Sequence, residues 1–101
     1  MSDIIFEITD KKGRKVKLTK ERWTHITSPS SLHPQMTNYL EEIKETIQKP
    51  DSTIPQKFDD TKENHYKFYK KISQYILVAV KYINNEGDVK TAFPVRKIIK
   101  R

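Results

Sequence analysis

The chain has 101 residues, 33% charged and 35% hydrophobic, with 20 Lys/Arg against 13 Asp/Glu, a formal net charge of +7 and no cysteine. That length supports one domain, residues 1–101, burying about 60–70% of its unfolded surface. Lack of cysteine excludes disulfides, thiolate nucleophiles and zinc–thiolate centres, 10% aromatics exclude a disordered polar chain, and no apolar run reaches the ~18 residues of a membrane helix.

Asp3–Ile8 alternates, with Ile4, Phe6 and Ile8 on one side, and reads as a strand. Its start shows no charged-then-apolar layout of a secretory signal, so a cytoplasmic protein is expected. Asp10-Lys11-Lys12-Gly13 is a turn with Gly13 at positive φ, and Lys15–Leu18 completes a hairpin. Thr19 is placed to cap a short helix over Lys20–Ile26, with Glu21 in its first turn. Trp23 and Ile26, three apart, share its buried face, and His25 falls on the flank.

Thr27–Ser31 is a loop by composition. A longer amphipathic helix is expected from Pro34, with Met36, Tyr39, Leu40, Ile43 and Ile47 as its apolar stripe and Pro50 as its stop. Asp51–Lys62 is a polar connection, with a short strand around Thr53–Phe58. Tyr66–Ile72 is a strand with Tyr66 and Phe68 on one side and His65, Lys67 and Tyr69 on the other. Tyr75–Ile83 is apolar on both faces except at Lys81 and is the expected central strand. Asn84–Asp88 is a turn, and Val89–Val95 returns antiparallel, with Pro94 marking an edge or a strand end. The expected fold is α+β: an N-terminal hairpin and two helices packed on a C-terminal antiparallel sheet of three or four strands.

The charge is uneven: residues 1–40 carry +3, residues 41–65 carry −3 and residues 66–101 carry +7. Basic ends of this kind fit a nucleic-acid partner through phosphate neutralisation; the alternative is a solvated, lysine-rich surface. Metal-independent RNA cleavage needs a base for the 2′-hydroxyl, an acid for the leaving 5′-oxygen and cationic or hydrogen-bonding groups at the phosphate. His25 is the leading proton-transfer candidate, set against a histidine that only decorates a helix end. His33 precedes a proline that opens a helix, a position for phosphate contact or a plain loop residue. His65 reads as surface. The acidic residues do not cluster as metal ligands, and no metal or cofactor is expected. Tyr66 and Tyr69 either pack in the core or contact phosphate. Thr91 depends on register. A four-residue loop sets Lys81 against Lys90, an unfavourable like-charge pair, whereas a five-residue loop, Asn84–Asp88, pairs Lys81 with Thr91 and is favoured.

The motifs follow one another in order: R-W-x-H-I at Arg22–Ile26, H-P-x-M at His33–Met36, K-P-D at Lys49–Asp51, Y-x-x-Y-K at Tyr66–Lys70, and L-V-x-V-x with G-D-V-x-T-A-F within Leu77–Phe93. The series resembles the phage-type branch of the barnase–EndoU–colicin–RelE-like nucleases, from Val16 to about Phe93. That resemblance implies helices packed on an antiparallel sheet, with an RNase site on the sheet and transesterification to a 2′,3′-cyclic phosphate. It also implies a toxin or a domain carried by phages and mobile elements, with a cognate antitoxin as partner. His25 and Thr91 match the family's R-W-x-H histidine and T-A-F threonine. Gln35 departs from the pattern, which often has an acidic residue after H-P. The expected site is therefore His25, Thr91, Tyr66 and Tyr69 for catalysis, with Arg22, His33, Lys81 and Lys90 on the RNA. The rivals are a non-catalytic nucleic-acid-binding module and a phage accessory domain that binds a protein.

Overall fold

A computed structural model of the chain describes residues 3–28 and 34–98. Its strands are β1 (Ile4–Thr9), β2 (Lys15–Thr19), β3 (Ser52–Pro55), β4 (Lys62–Tyr69), β5 (Gln74–Ile83) and β6 (Glu86–Val95). The helices are α1 (Lys20–Thr27) and α2 (Leu40–Gln48), with a 3-10 helix over Pro34–Asn38 between them. The class is α+β, as expected, but all six strands join one mixed sheet in the order β1-β2-β6-β5-β4-β3.

The N-terminal hairpin is part of that sheet and does not lie on top of it. Val16 of β2 runs parallel to Gly87 of β6, flanked by Lys15 opposite Glu86 and Lys17 opposite Asp88. Two opposite-charge pairs thus frame a glycine that leaves room for the neighbouring strand. A β-carbon at Gly87 would lie 2.7 Å from Val80 Cγ1 and 2.8 Å from Tyr82 Cε1, both on buried side chains. Gly87→Ala is therefore expected to cost about 1–3 kcal/mol, the range for overpacking a tight core. Urea denaturation checks this, and an unchanged midpoint would show that β5 shifts freely.

Turn chemistry fixes the ends of the strands. Gly13 takes φ +85° in the first hairpin, as expected. The β5–β6 connection is shorter than the five-residue loop expected. Asn84 (φ 53°) and Asn85 (φ 65°) form a two-residue turn of the I′ kind, and Ile83 pairs with Glu86. Asparagine tolerates the left-handed region well enough to do this without glycine. The favoured Lys81–Thr91 pairing is thereby corrected: Lys81 lies opposite Asp88 and Thr91 opposite Ala79, with a bulge at Lys90. Pro94, next to last in β6, marks a strand end, one of the two places expected for it. Pro94 is tolerated because β2 pairs only with Glu86–Asp88, so the far end of β6 has β5 on one side alone.

Thr19 caps α1, its hydroxyl accepting from the Arg22 N–H at 3.2 Å. Ile26 is buried and Trp23 is half-buried against the core, as their spacing implies. The expected long helix from Pro34 is instead split at Tyr39, which takes φ −124°, ψ 27° and begins α2 without a side-chain cap. Met36, Ile43 and Ile47 are nonetheless buried together. Both helices pack on one face of the sheet, where Val16, Leu18, Ile76, Val78, Val80, Val89 and Ala92 form the main core. On the opposite face Tyr66, Leu77 and Ala79 form a smaller cluster with Ile54, Tyr75, Phe93, Val95 and Ile98. Among the described residues no helical side chain packs against that second cluster. No helix of the described residues is long and apolar enough to cross a membrane.

Candidate functional site

Two arrangements bring chemically capable side chains together, one on each face of the sheet. On the helix-bearing face the Asp10–Gly13 turn folds toward β4 and β5. Asp10 is buried, and its Oδ1 accepts from the backbone N–H groups of Lys12 and Arg14, each at 2.9 Å. The Arg14 guanidinium donates to Asp10 Oδ2 at 2.9 Å and makes a forked pair with Glu63 of β4, at 2.8 and 3.2 Å. It lies 3.6 Å over the ring of Tyr82 of β5, a cation–π contact. Tyr82 donates its hydroxyl to Asp10 Oδ2 at 2.8 Å, and His65 Nε2 lies 2.9 Å from that hydroxyl. His65 Nδ1 completes the chain, 3.0 Å from Thr53 Oγ1 of β3.

The proton order follows from donor accounting. With the Tyr82 proton directed at Asp10, His65 must donate through Nε2–H, and Nδ1 accepts from Thr53. Burial pushes the His65 imidazole down to about 4, and the nearby carboxylates of Glu63 and Asp10 offset this only partly. Burial pushes the Asp10 carboxyl up, but hydrogen bonds from the Arg14 N–H and Tyr82 outweigh it and hold the group below the usual carboxylate range. Glu63 is held low by its hydrogen bonds to Arg14, against its burial. The Tyr82 hydroxyl is pushed up, first by burial and then by Asp10. A cavity of about 430 Å³ opens beside this chain, with Lys11, Lys12, Asp51, Ser52 and Thr53 on its walls. Both nitrogens of His65 are engaged, and no buried side-chain polar atom among the described residues lacks a partner. The network is thus a closed clamp joining the first hairpin to β3, β4 and β5.

The second arrangement lies on the face without helices. Strand alternation puts Lys62, Asn64, Tyr66 and Phe68 of β4 there, beside Lys81, Ala79, Leu77 and Tyr75 of β5 and Thr91 and Phe93 of β6. Thr91 is half-buried and next to Ala79, not enclosed among valines. Lys62 and Lys81 oppose each other directly, an unfavourable cross-strand pair offset by Asp59, 4.0 Å from Lys62, and by Asp88, opposite Lys81 on β6. Asn64 Oδ1 accepts from Gln56 Nε2 at 2.9 Å, which fixes its amide.

The residues expected from the sequence are thus divided. Thr91 and Lys81 share the open face with Tyr66, but Tyr66 is 2% exposed and cannot present its ring broadly to a ligand. Tyr69 lies on the helix-bearing face, as its alternation implies. Its hydroxyl donates toward the Glu42 carbonyl and Glu45 Oε1 and meets Thr46, so it fastens α2 to β4 and leaves the expected catalytic set. His25 is exposed in the last turn of α1, in the helix layer, with Arg22 half-buried on the same helix. His25 and Thr91 therefore stand on opposite sides of the sheet. The Lys90 bulge separates its side chain from the Lys81 pairing. His33 lies outside the described residues.

His65, read as surface, is 2% exposed. The signal that could have found it is the burial of β5 on both faces, which requires its neighbour β4 to bury residues on both faces too. Of the acidic residues near Asp59, Glu63 is occupied by Arg14, and Asp59 accepts from Thr61. Among the described residues no three His, Asp or Glu side chains are grouped to hold a metal ion. The chain matches no protein-family model, no curated protein and no solved structure.

Proposed function

We propose that the chain is a metal-independent RNA endonuclease of the barnase–EndoU–colicin–RelE-like kind, holding RNA on the open face of its sheet. The observation that carries this reading is the placement of Thr91 with Asn64 and the opposed Lys62–Lys81 pair on the face the helices leave free. In such a reaction the 2′-hydroxyl loses its proton and attacks phosphorus. The 5′-oxygen leaves with a proton, and a 2′,3′-cyclic phosphate remains. The Thr91 hydroxyl and the Lys81 ammonium are suited to the non-bridging oxygens. His25, with its imidazole exposed, is the proton-transfer group that the R-W-x-H motif designates, but on α1 it stands across the sheet from Thr91 and does not reach a phosphate held there. A protein antitoxin is the natural partner on this reading.

Incubation with transfer RNA and total RNA in EDTA, read on a gel, tests the proposal. Cleavage to products ending in a cyclic phosphate is expected, with Thr91→Ala lowering the rate by about 10²–10³-fold while the fold is retained. Loss of cleavage in Thr91→Ala but not in His25→Ala would confine the chemistry to the open face. No product with any RNA would end the nuclease assignment.

One observation favours a second reading, a non-catalytic nucleic-acid-binding module. Among the described residues the open face carries no histidine, since His65 faces the helices and His25 sits on α1. A module of that kind would retard RNA without cutting it, and binding would weaken steeply with salt.

A further inference from the structure

The open face is polar at one end and aromatic at the other. Phe68 is 43% exposed, opposite Tyr75 on β5, and the two rings meet edge to face with centroids 5.2 Å apart. Six cross-strand pairs along, the same two strands carry Lys62 opposite Lys81. Six residues of strand separate the two ends, roughly 20 Å. An aromatic ring standing out of a sheet face, held by a second ring, is a platform for the flat face of an unstacked base. The lysine end complements the phosphates that follow, in a chain whose last 36 residues carry +7.

Duplex RNA offers neither feature in the right form. Its bases are stacked on each other, and an extended aromatic platform reaches only its backbone and minor groove. We infer that, given the RNA reading above, the open face takes single-stranded RNA, with one base stacked on Phe68 and the backbone running toward Lys62 and Lys81. Phe68 is then a substrate-positioning residue, and Tyr75 holds its ring in place.

The test uses the full chain and a fluorescein-labelled 2′-O-methyl RNA decamer, which lacks the attacking hydroxyl and survives the assay. Anisotropy is read for the single strand and for its blunt duplex. The single strand is expected to bind at least tenfold more tightly. Phe68→Ala and Phe68→Leu should each weaken it about tenfold, the worth of one stacked base, and Phe68→Trp should restore it. Phe58, 92% exposed and outside every strand, is the control: Phe58→Ala should leave affinity unchanged. Urea midpoints confirm that each variant is folded. Equal affinity for duplex and single strand, or an unaltered Phe68→Leu, overturns this inference even where unmodified RNA is cleaved. Neither binding nor cleavage of RNA overturns it together with the nuclease reading.

Discussion

Arg14→Met is expected to destabilise the protein by about 3–5 kcal/mol, the cost of leaving buried carboxylates without their cation. Three observations set that size. The Asp10 side chain is 1% exposed and the Glu63 side chain 15%, so water solvates neither fully once the guanidinium is gone. The guanidinium also fills the space over the Tyr82 ring, which methionine covers less completely. Finally, Arg14 ties a turn of the first hairpin to β4, 49 residues further along the chain. A loss of this size is a large part of the 5–15 kcal/mol that holds a typical domain together. Urea unfolding at pH 7 measures it. Adding Glu63→Gln to Arg14→Met should recover part of the loss, because an amide no longer strands a charge. The wild-type midpoint should change little between low and high salt, unlike that of a protein held by exposed pairs. A single-variant loss below about 1 kcal/mol would mean that both carboxylates are wet, and the clamp would lose its energetic meaning.

Local order was legible along the chain, and the joining of its parts was not. Alternation located both strands of the first hairpin and the strand from Tyr75 to Ile83, and Thr19 marked the start of α1, because these depend on neighbours within a few residues. The parallel pairing of β2 with β6 depends on Val16 meeting Gly87 across 71 positions, and periodicity carries no information about such partners. The β5–β6 register failed for a different reason. The five-residue loop Asn84–Asp88 took in Gly87, whereas two asparagines make the turn and the glycine serves close packing. That shift of the loop changed the partner of Lys81 from Thr91 to Asp88. For the site, the sequence grouped residues by chemical type, and the sheet sorts them by face. Alternation rightly separated Tyr66 from Tyr69, but nothing local could show that α1 holds His25 on the side opposite Thr91. Nor could it show that Asp10, Arg14, Glu63, His65 and Tyr82 converge, since they come from the first hairpin turn, β4 and β5, far apart along the chain.

Stability is expected to fall by on the order of 3 kcal/mol as pH drops from about 7 to 4, with His65 as the cause. In the unfolded chain the imidazole titrates near 6.5, and in the fold burial holds it at about 4. Between those values the unfolded state binds a proton that the folded state refuses, so unfolding gains with every proton added. The contribution of neutral His65 is thus whole above about pH 6.5 and is spent by pH 4, at close to 1.4 kcal/mol per pH unit. Protonation would put a second donor on Nδ1, which now accepts from Thr53, and a positive charge beside Arg14. Asp10 and Glu63, both held below their usual range, extend the loss to lower pH, where their carboxylates must be protonated as the chain unfolds. The two limbs can be separated. His65→Leu should flatten the stability profile between pH 7 and 5 while starting from a lower value, having lost both hydrogen bonds, and it should keep the acid limb below about pH 4. Urea midpoints across that range decide the matter. A wild-type profile already flat from pH 7 to 5 would mean that His65 is protonated within the fold, and the donor order from Thr53 through His65 and Tyr82 to Asp10 would have to be redrawn.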